Sequence, residues 1–354
     1  MHNSAFTPYN AVNMGLHFDP MSQLEQAVRA AGLKWGVTSH YVFNYAYYTQ
    51  SINFDNSNPL WSDLYGDGAV EGSYVSLKHL KKWYNRTTEM VNNYQPDLVY
   101  LDFDIGFPGC DPYNRAFASY YYNLAKARGQ EPVINYKYGT SISPGQYAAG
   151  SAILDFERGG ENQIQPFVWQ TDTSICSSSW GYVTNCALYR NSTWVVANLA
   201  DIVSKNGNLL FNVMPTANGV IPSNQQTILL NVGNWMSYNS EAIYGTRPFT
   251  TFGEGPDNAP GGSFNENTTY NGNDVRYTTK GKTLYAIVLG WRTTPLTMVS
   301  LSSTALGTNS IASVSMLGSS QTISWSQNSS GLTASFPTTQ PPFTEAFVLK
   351  VVLN

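Results

Sequence analysis

Two acidic residues stand where a short apolar run gives way to a loop. Asp102 ends Pro96-Asp97-Leu98-Val99-Tyr100-Leu101-Asp102, and Glu157 ends Ala152-Ile153-Leu154-Asp155-Phe156-Glu157. Leu98, Val99 and Leu101 form the near-continuous apolar run of a parallel strand covered on both faces. Side chains alternate along a strand, so Leu98, Tyr100 and Asp102 share a face, as do Asp155 and Glu157. A carboxylate at the carboxyl end of such a strand is placed for chemistry. It is equally placed to cap a loop or the next helix. Asp104 is the local rival of Asp102. Asp155 and Glu161 are the rivals of Glu157, whose plainest alternative role is an ion pair with Arg158 or another arginine.

The elements that must position these groups follow one another in a regular alternation. Asp19-Pro20 opens a helix to Ala31 with Gly32 beyond it, the punctuation of an N-cap, a first-turn proline and a closing glycine. Leu33 to Thr38 reads as a strand leading into His40. A long polar-aromatic loop spans 44–72. A helix from about Tyr74 to Asn93 precedes the Asp102 strand, and Asp111-Pro112 opens another that Gly129 closes. Strands are expected at 132–135, 152–157, about 167–169 and 208–213, and a helix at 193–205. Ser223-Asn224-Gln225-Gln226 reads as a capping box opening a helix to about Tyr238. Alternation on this scale predicts an α/β fold on a parallel sheet, with about six strands where a closed barrel needs eight. Beyond about Pro248 the helical period stops. Seven short runs between 275 and 352, separated by Gly, Ser, Thr, Asn and Pro, read as an antiparallel β-sandwich. Residues 253–272 read as a linker. The expected division is 1–248 and 249–354.

Composition narrows the function classes. Only 12% of the 354 residues are charged and the net charge is -4, without Lys/Arg runs, which gives no basic surplus for nucleic acid. Tyr (24) and Trp (9) are abundant, a balance common in chains that stack sugars on aromatic rings and also in large β-rich cores. No run of about 18 apolar residues predicts a membrane span. Met1 to Phe6 lacks the basic segment and apolar core of a signal peptide. Four Asn-x-Ser/Thr sequons begin at Asn85, Asn191, Asn267 and Asn328. Cys176 and Cys186 lie in one loop-rich segment and are candidates for a disulfide, leaving Cys110 odd. The scattered His and Cys give no metal-ligand spacing, so no metal is expected.

Several stretches carry a resemblance. Pro96 to Asp102 is similar to the Pro-Asp-Leu-x-Trp-x-Asp strand of the α-L-fucosidases of glycoside hydrolase family 29, with Tyr100 in the usual Trp place. Leu199 to Pro215 (Leu-Ala-Asp-Ile-Val-Ser-Lys-Asn-Gly-Asn-Leu-Leu-Phe-Asn-Val-Met-Pro) resembles a second signature of that family, continued by Gly219 to Pro222 and Glu241 to Thr246. Ser179-Trp180-Gly181-Tyr182 is similar to a further family segment. The likeness covers roughly residues 9–250. The family's His-Trp-Gly and Lys-His-His-x-Gly-Phe stretches have no counterpart here. The chain therefore looks like a fucosidase whose (β/α)8-like, TIM-type barrel lacks its first quarter, followed by the family's C-terminal β-sandwich. An open parallel sheet exposes an edge and an apolar face. A homo-oligomer or a rearranged N-terminal segment is expected to cover it.

The resemblance implies a retaining exo-glycosidase for terminal α-L-fucosyl residues of a secreted, extracellular glycan-processing kind, working without a cofactor. It makes Asp102 the nucleophile and Glu157 the acid/base. His40, Tyr100, Lys137 and Trp180 become the residues that contact the sugar, Lys137 standing where an Arg is usual. A neighbouring carboxylate and partial burial would keep Glu157 protonated near neutral pH. Two other readings stand beside this one: a degenerate relative that binds carbohydrate without turnover, and a retaining glycosidase for another sugar.

Overall fold

The computed structural model describes residues 1–48, 54–66, 75–102, 105–137 and 147–354. Asp104, the local rival of Asp102, lies outside the described residues. By its internal contacts the chain divides into two units, 1–155 and 156–354, with the division falling inside one strand.

The first unit alternates as the sequence predicts. Helix α1 (Pro20–Ala30) has Asp19 as N-cap, its carboxylate accepting from Met21 and Ser22 amides. Strand β1 (Gly36–Ser39) precedes α2 (Leu77–Tyr94), which Ser76 caps through the His79 amide. Strand β2 (Leu98–Leu101) leads to α3 (Asp111–Ala127), and β3 (Val133–Lys137) precedes β4 (Ile153–Glu157). These strands pair in parallel: Gly36 with Leu98, Leu98 with Val133, and Lys137 with Asp155. Val99, Leu101, Ile134, Trp83, Phe117 and Tyr121 form the centre of this unit's core. The 44–72 stretch is not loop throughout. Helical turns form at Asn44–Tyr47, Pro59–Trp61 and Ser62–Tyr65, the Pro59 turn capped by the Asn58 side chain.

Residues 1–13 lie against α2. The Glu89 carboxylate accepts from Ser4 Oγ (2.6 Å) and the Ala5 amide (2.7 Å) and stands 3.0 Å from His2 Nε2. The Asn3 amide donates to Tyr94 Oη. This segment and β1 together line a cavity of about 470 Å³.

The second unit adds β5 (Trp169–Ser174), α4 (Ser192–Ser204), β6 (Gly207–Asn212) and α5 (Ser223–Asn239). Six parallel strands thus occur among the described residues, in the order β1-β2-β3-β4-β5-β6, two fewer than a closed eight-stranded barrel. Strand β5 was expected only as a short run near Trp169. It continues through Gln170, Thr171, Asp172, Thr173 and Ser174, all buried; Thr171 donates to the Phe156 carbonyl, Thr173 to the Glu266 carboxylate, and Ser174 accepts from the Asn212 side-chain amide. The capping box is corrected as well. Ser223 is already helical, Pro222 stands at the N-cap, and no side chain caps the helix. The Gln226 side chain donates instead to the Ile221 carbonyl, and Gln225 turns inward to exchange hydrogen bonds with the Met214 backbone.

The later residues form two antiparallel sheets. One runs β11-β14-β9-β8-β7 and the other β10-β13-β12. Their ranges are β7 Arg247–Glu254, β8 Val275–Lys280, β9 Thr283–Val288, β10 Leu296–Met298, β11 Ile311–Met316, β12 Trp325–Asn328, β13 Gly331–Ala334 and β14 Phe347–Leu353. Both sheets contribute to one apolar core, through Ile287, Phe347 and Leu349 from the first and Met298 and Leu332 from the second. Strand β7 begins before the expected linker and shortens it to residues 255–272, which carry no regular element. Among the described residues no helix is long and apolar enough to cross a membrane.

Candidate functional site

Asp102 follows β2 at the carboxyl end of the sheet and is buried. His40, just past β1, brings Nε2 to 2.8 Å from Asp102 Oδ2. Lys137, the last residue of β3, brings Nζ to 3.2 Å from Oδ1. Three adjacent parallel strands therefore deliver a carboxylate between two nitrogen donors, each from the end of its own strand. Burial alone would raise the Asp102 pKa. The His40 hydrogen bond and the Lys137 charge outweigh it and hold the carboxyl below its ordinary range. The Lys137 ammonium balances the charge on Oδ1 from 3.2 Å.

Tyr100 is buried two residues before Asp102, and its hydroxyl donates to Asp155 Oδ2 at 2.9 Å. The Lys137 ammonium lies 5.9 Å from the Tyr100 ring centroid. Asp155 is thus committed as an acceptor at the floor of the sheet, and it is only 1% exposed. Lys137 is not a solvated surface cation: it is 7% exposed and paired with Asp102.

Glu157, the last residue of β4, is half-buried. Its neighbour Arg158 turns into the left-handed region (φ 49°), which reverses the chain, and its amide donates to the Asp172 carbonyl. Gly159 has to be glycine: a Cβ there would lie 1.9 Å from the Gly262 carbonyl oxygen. The simple ion pair between Glu157 and Arg158 does not form. Arg158 instead reaches Glu266 (3.3 Å), and its guanidinium sits 4.4 Å over the Trp180 ring. Trp180 is part-exposed, and its carbonyl accepts from Asn212. Glu161 is half-buried, and burial pushes its carboxyl up. Cys176 and Cys186 form a disulfide and so close the loop that carries Trp180.

Glu266 is the residue that reading the sequence missed. It lies in the stretch taken as linker, yet it is buried, with Arg190 at 2.7 Å and the Thr173 hydroxyl donating at 2.5 Å. A Gly-rich, strand-poor segment offers no periodic signal for such a role. Asp201 and Lys205, part of the second signature, make a buried ion pair one helical turn apart (2.7 Å), joined by Arg276 at 2.6 Å. That cluster joins α4 to β8. Of the sequon asparagines, Asn191, Asn267 and Asn328 are exposed. Asn85 lies inside α2, and Thr87 of its sequon is buried.

The family model described as alpha-L-fucosidase matches residues 1–241, and the model of the alpha-L-fucosidase C-terminal domain matches residues 265–352. The chain belongs to the α-L-fucosidase family. It is 28% identical to tissue alpha-L-fucosidase of Bos taurus, over 91% of this chain and 61% of that protein. With the Homo sapiens tissue enzyme the identity is 29%, over 94% and 64%. The chain therefore spans less than two thirds of the length of these relatives. In fold it is similar to Thermotoga maritima alpha-fucosidase, with a TM-score of 0.71 at 23% identity, covering 99% of this chain and 72% of that one. Membership in the α-L-fucosidase family accounts for the parallel sheet and the antiparallel C-terminal sheets together.

Proposed function

We propose that this chain is a retaining glycoside hydrolase that removes terminal α-L-fucosyl residues from fucosylated glycans. The observation that carries this is Asp102: a buried carboxylate at the end of a parallel strand, kept ionised by His40 and Lys137. An ionised carboxylate in a low-dielectric site is a competent nucleophile. An Asp102 carboxylate oxygen attacks the anomeric carbon as the bond to the departing oxygen breaks. Glu157 gives its proton to that oxygen. Water then attacks the anomeric carbon of the glycosyl ester, Glu157 takes its proton, and fucose leaves with Asp102 restored. No cofactor enters either step.

His40 and Lys137 keep the carboxylate anionic before attack and offer donors to sugar hydroxyls. Trp180 presents an aromatic face to the sugar, while the buried Tyr100 acts from beneath through Asp155 and Lys137. On this reading residues 1–248 carry catalysis and 249–354 form an accessory sandwich. The Cys176–Cys186 disulfide supports an oxidising, extracellular setting. Exposed Asn191, Asn267 and Asn328 are the sequons suited to glycosylation, ahead of Asn85. Among the described residues strand β1 pairs on one side only, an edge that a second copy would cover.

The test is hydrolysis of an aryl α-L-fucoside by this chain beside Asp102→Ala. The expected result is turnover by the parent, loss of it in the variant, and partial return with azide as a glycosyl azide. A folded parent that binds fucose without turnover would favour the degenerate, binding-only reading. Equal turnover by both proteins would remove Asp102 from the chemistry.

A further inference from the structure

The stretch 260–267 has no regular secondary structure, yet it is tied to the turn after β4 by main-chain and side-chain contacts. Gly160 and Gly262 exchange both backbone hydrogen bonds (3.1 and 2.8 Å), and the Phe264 amide donates to the Glu157 carbonyl at 2.7 Å. Phe264 adopts a left-handed backbone (φ 61°) to make that contact, and Arg158 does the same across from it. Two non-glycine residues in a sparsely populated region persist only where the surroundings over-determine them.

Glu266 closes the arrangement. It is 8% exposed and gathers the Arg158 and Arg190 guanidiniums and the Thr173 hydroxyl. Each guanidinium also lies over an indole, Arg158 over Trp180 and Arg190 over Trp194, both at 4.4 Å. The acidic side chain thus fixes two cations that in turn fix two aromatic rings. Removing one partner of such a buried network leaves uncompensated charge and frees the groups it held.

We propose that Glu266 is a positioning residue for proton donation, holding the Glu157–Arg158 turn and the Trp180 ring through the 260–267 strap. The inference rests on the assignment of Glu157 as acid/base. Glu266 itself is an acceptor for three donors and touches no reacting atom. Its charge keeps Arg158 paired and away from Glu157. Its backbone neighbours fix the main chain from which the Glu157 side chain projects. The strap therefore sets where the proton is delivered, not how the nucleophile attacks.

The experiment compares two aryl α-L-fucosides: 2,4-dinitrophenyl, whose leaving group needs little protonation, and 4-methylphenyl, which needs it. Wild type, Glu157→Gln and Glu266→Gln are assayed for kcat and KM, with hydrogen exchange of residues 157–160 and 177–182 followed alongside. General acid help is worth about 10²–10⁴-fold. Glu266→Gln is expected to lose about tenfold or more of kcat/KM, which reports departure of the leaving group, on the 4-methylphenyl substrate, with much smaller change of kcat/KM on the other. Thr173→Val, which removes one hydrogen bond to Glu266, is expected to show the same selectivity at smaller size. It stands in if Glu266→Gln does not fold. Faster exchange at both segments is expected in either variant. Equal loss on both substrates, or unchanged exchange, overturns the proposal. If Glu157→Gln itself shows no leaving-group selectivity, the acid/base assignment fails. Exchange alone then decides whether Glu266 holds the turn.

Discussion

Replacing Lys137 by Met tests the electrostatic argument at Asp102 most directly. Methionine keeps most of the aliphatic stem and removes the ammonium 3.2 Å from Oδ1. Both partners are buried, with side-chain exposures of 9% and 10%, so solvent screens the pair little. At 3.2 Å the attraction is about 5 kcal/mol for an effective dielectric of ~20 and about 1 kcal/mol at ~80. Removing the ammonium takes away stabilisation of the ionised form on that scale. The sign follows from the causes acting on Asp102. Burial raises its pKa, while the His40 hydrogen bond and the Lys137 charge lower it and prevail. Without Lys137, burial is opposed less and the pKa rises. Because the ionised form attacks, the acid limb of kcat/KM moves to higher pH in the variant. Stability responds in step. In the wild type, the contribution of Asp102 is present above the ordinary aspartate range and disappears as pH falls through its depressed value. The destabilisation caused by Lys137→Met should therefore be larger at pH 7 than at pH 3, read by urea unfolding at both. An unmoved acid limb together with a pH-independent loss of stability would refute the reasoning.

Other outcomes follow from the second unit. Asp201→Asn leaves Lys205 and Arg276 buried without their shared counter-ion, and should cost about 3–5 kcal/mol in denaturant unfolding. Retention of wild-type stability would mean that the cluster is neutral to folding. Burial already lowers the Lys205 pKa, so this variant's deficit should shrink toward alkaline pH as Lys205 loses its proton. Opening the Cys176–Cys186 bridge with Cys176→Ser releases a loop closed over a separation of ten residues, worth about 3 kcal/mol in the chain-entropy account. A melting temperature unchanged between the oxidised parent and the variant would contradict that.

Much of the candidate site was legible along the chain because it depends on local pattern. An apolar run ending in Asp102 reads as a strand with a carboxylate at its carboxyl end, and β2 followed by buried Asp102 is what forms. Capping by Asp19 likewise needs only neighbouring residues. The Ser223 capping box failed because the helix starts one residue earlier, with Pro222 at the N-cap, and the Gln226 side chain donates to the Ile221 carbonyl. Strand β5 was nearly missed because its buried residues are polar, and period and hydropathy cannot see hydrogen-bond partners from other elements.

The sequence alone determined the alternation of strands and helices, the antiparallel character beyond Pro248, the likeness to fucosidases and the position of Asp102. Each of these rests on spacing within about twenty residues or on a continuous motif. Only the tertiary structure decided what surrounds the carboxylates. Lys137 reaches Asp102 because β2 and β3 are parallel neighbours in register. Glu266 reaches Arg158 across 108 residues because the Gly159–Gly160 and Gly261–Gly262 backbones approach closely enough to pair. Residues so far apart in the chain leave no joint pattern in it. Their meeting depends on chain packing, and with it the charge that each catalytic candidate feels.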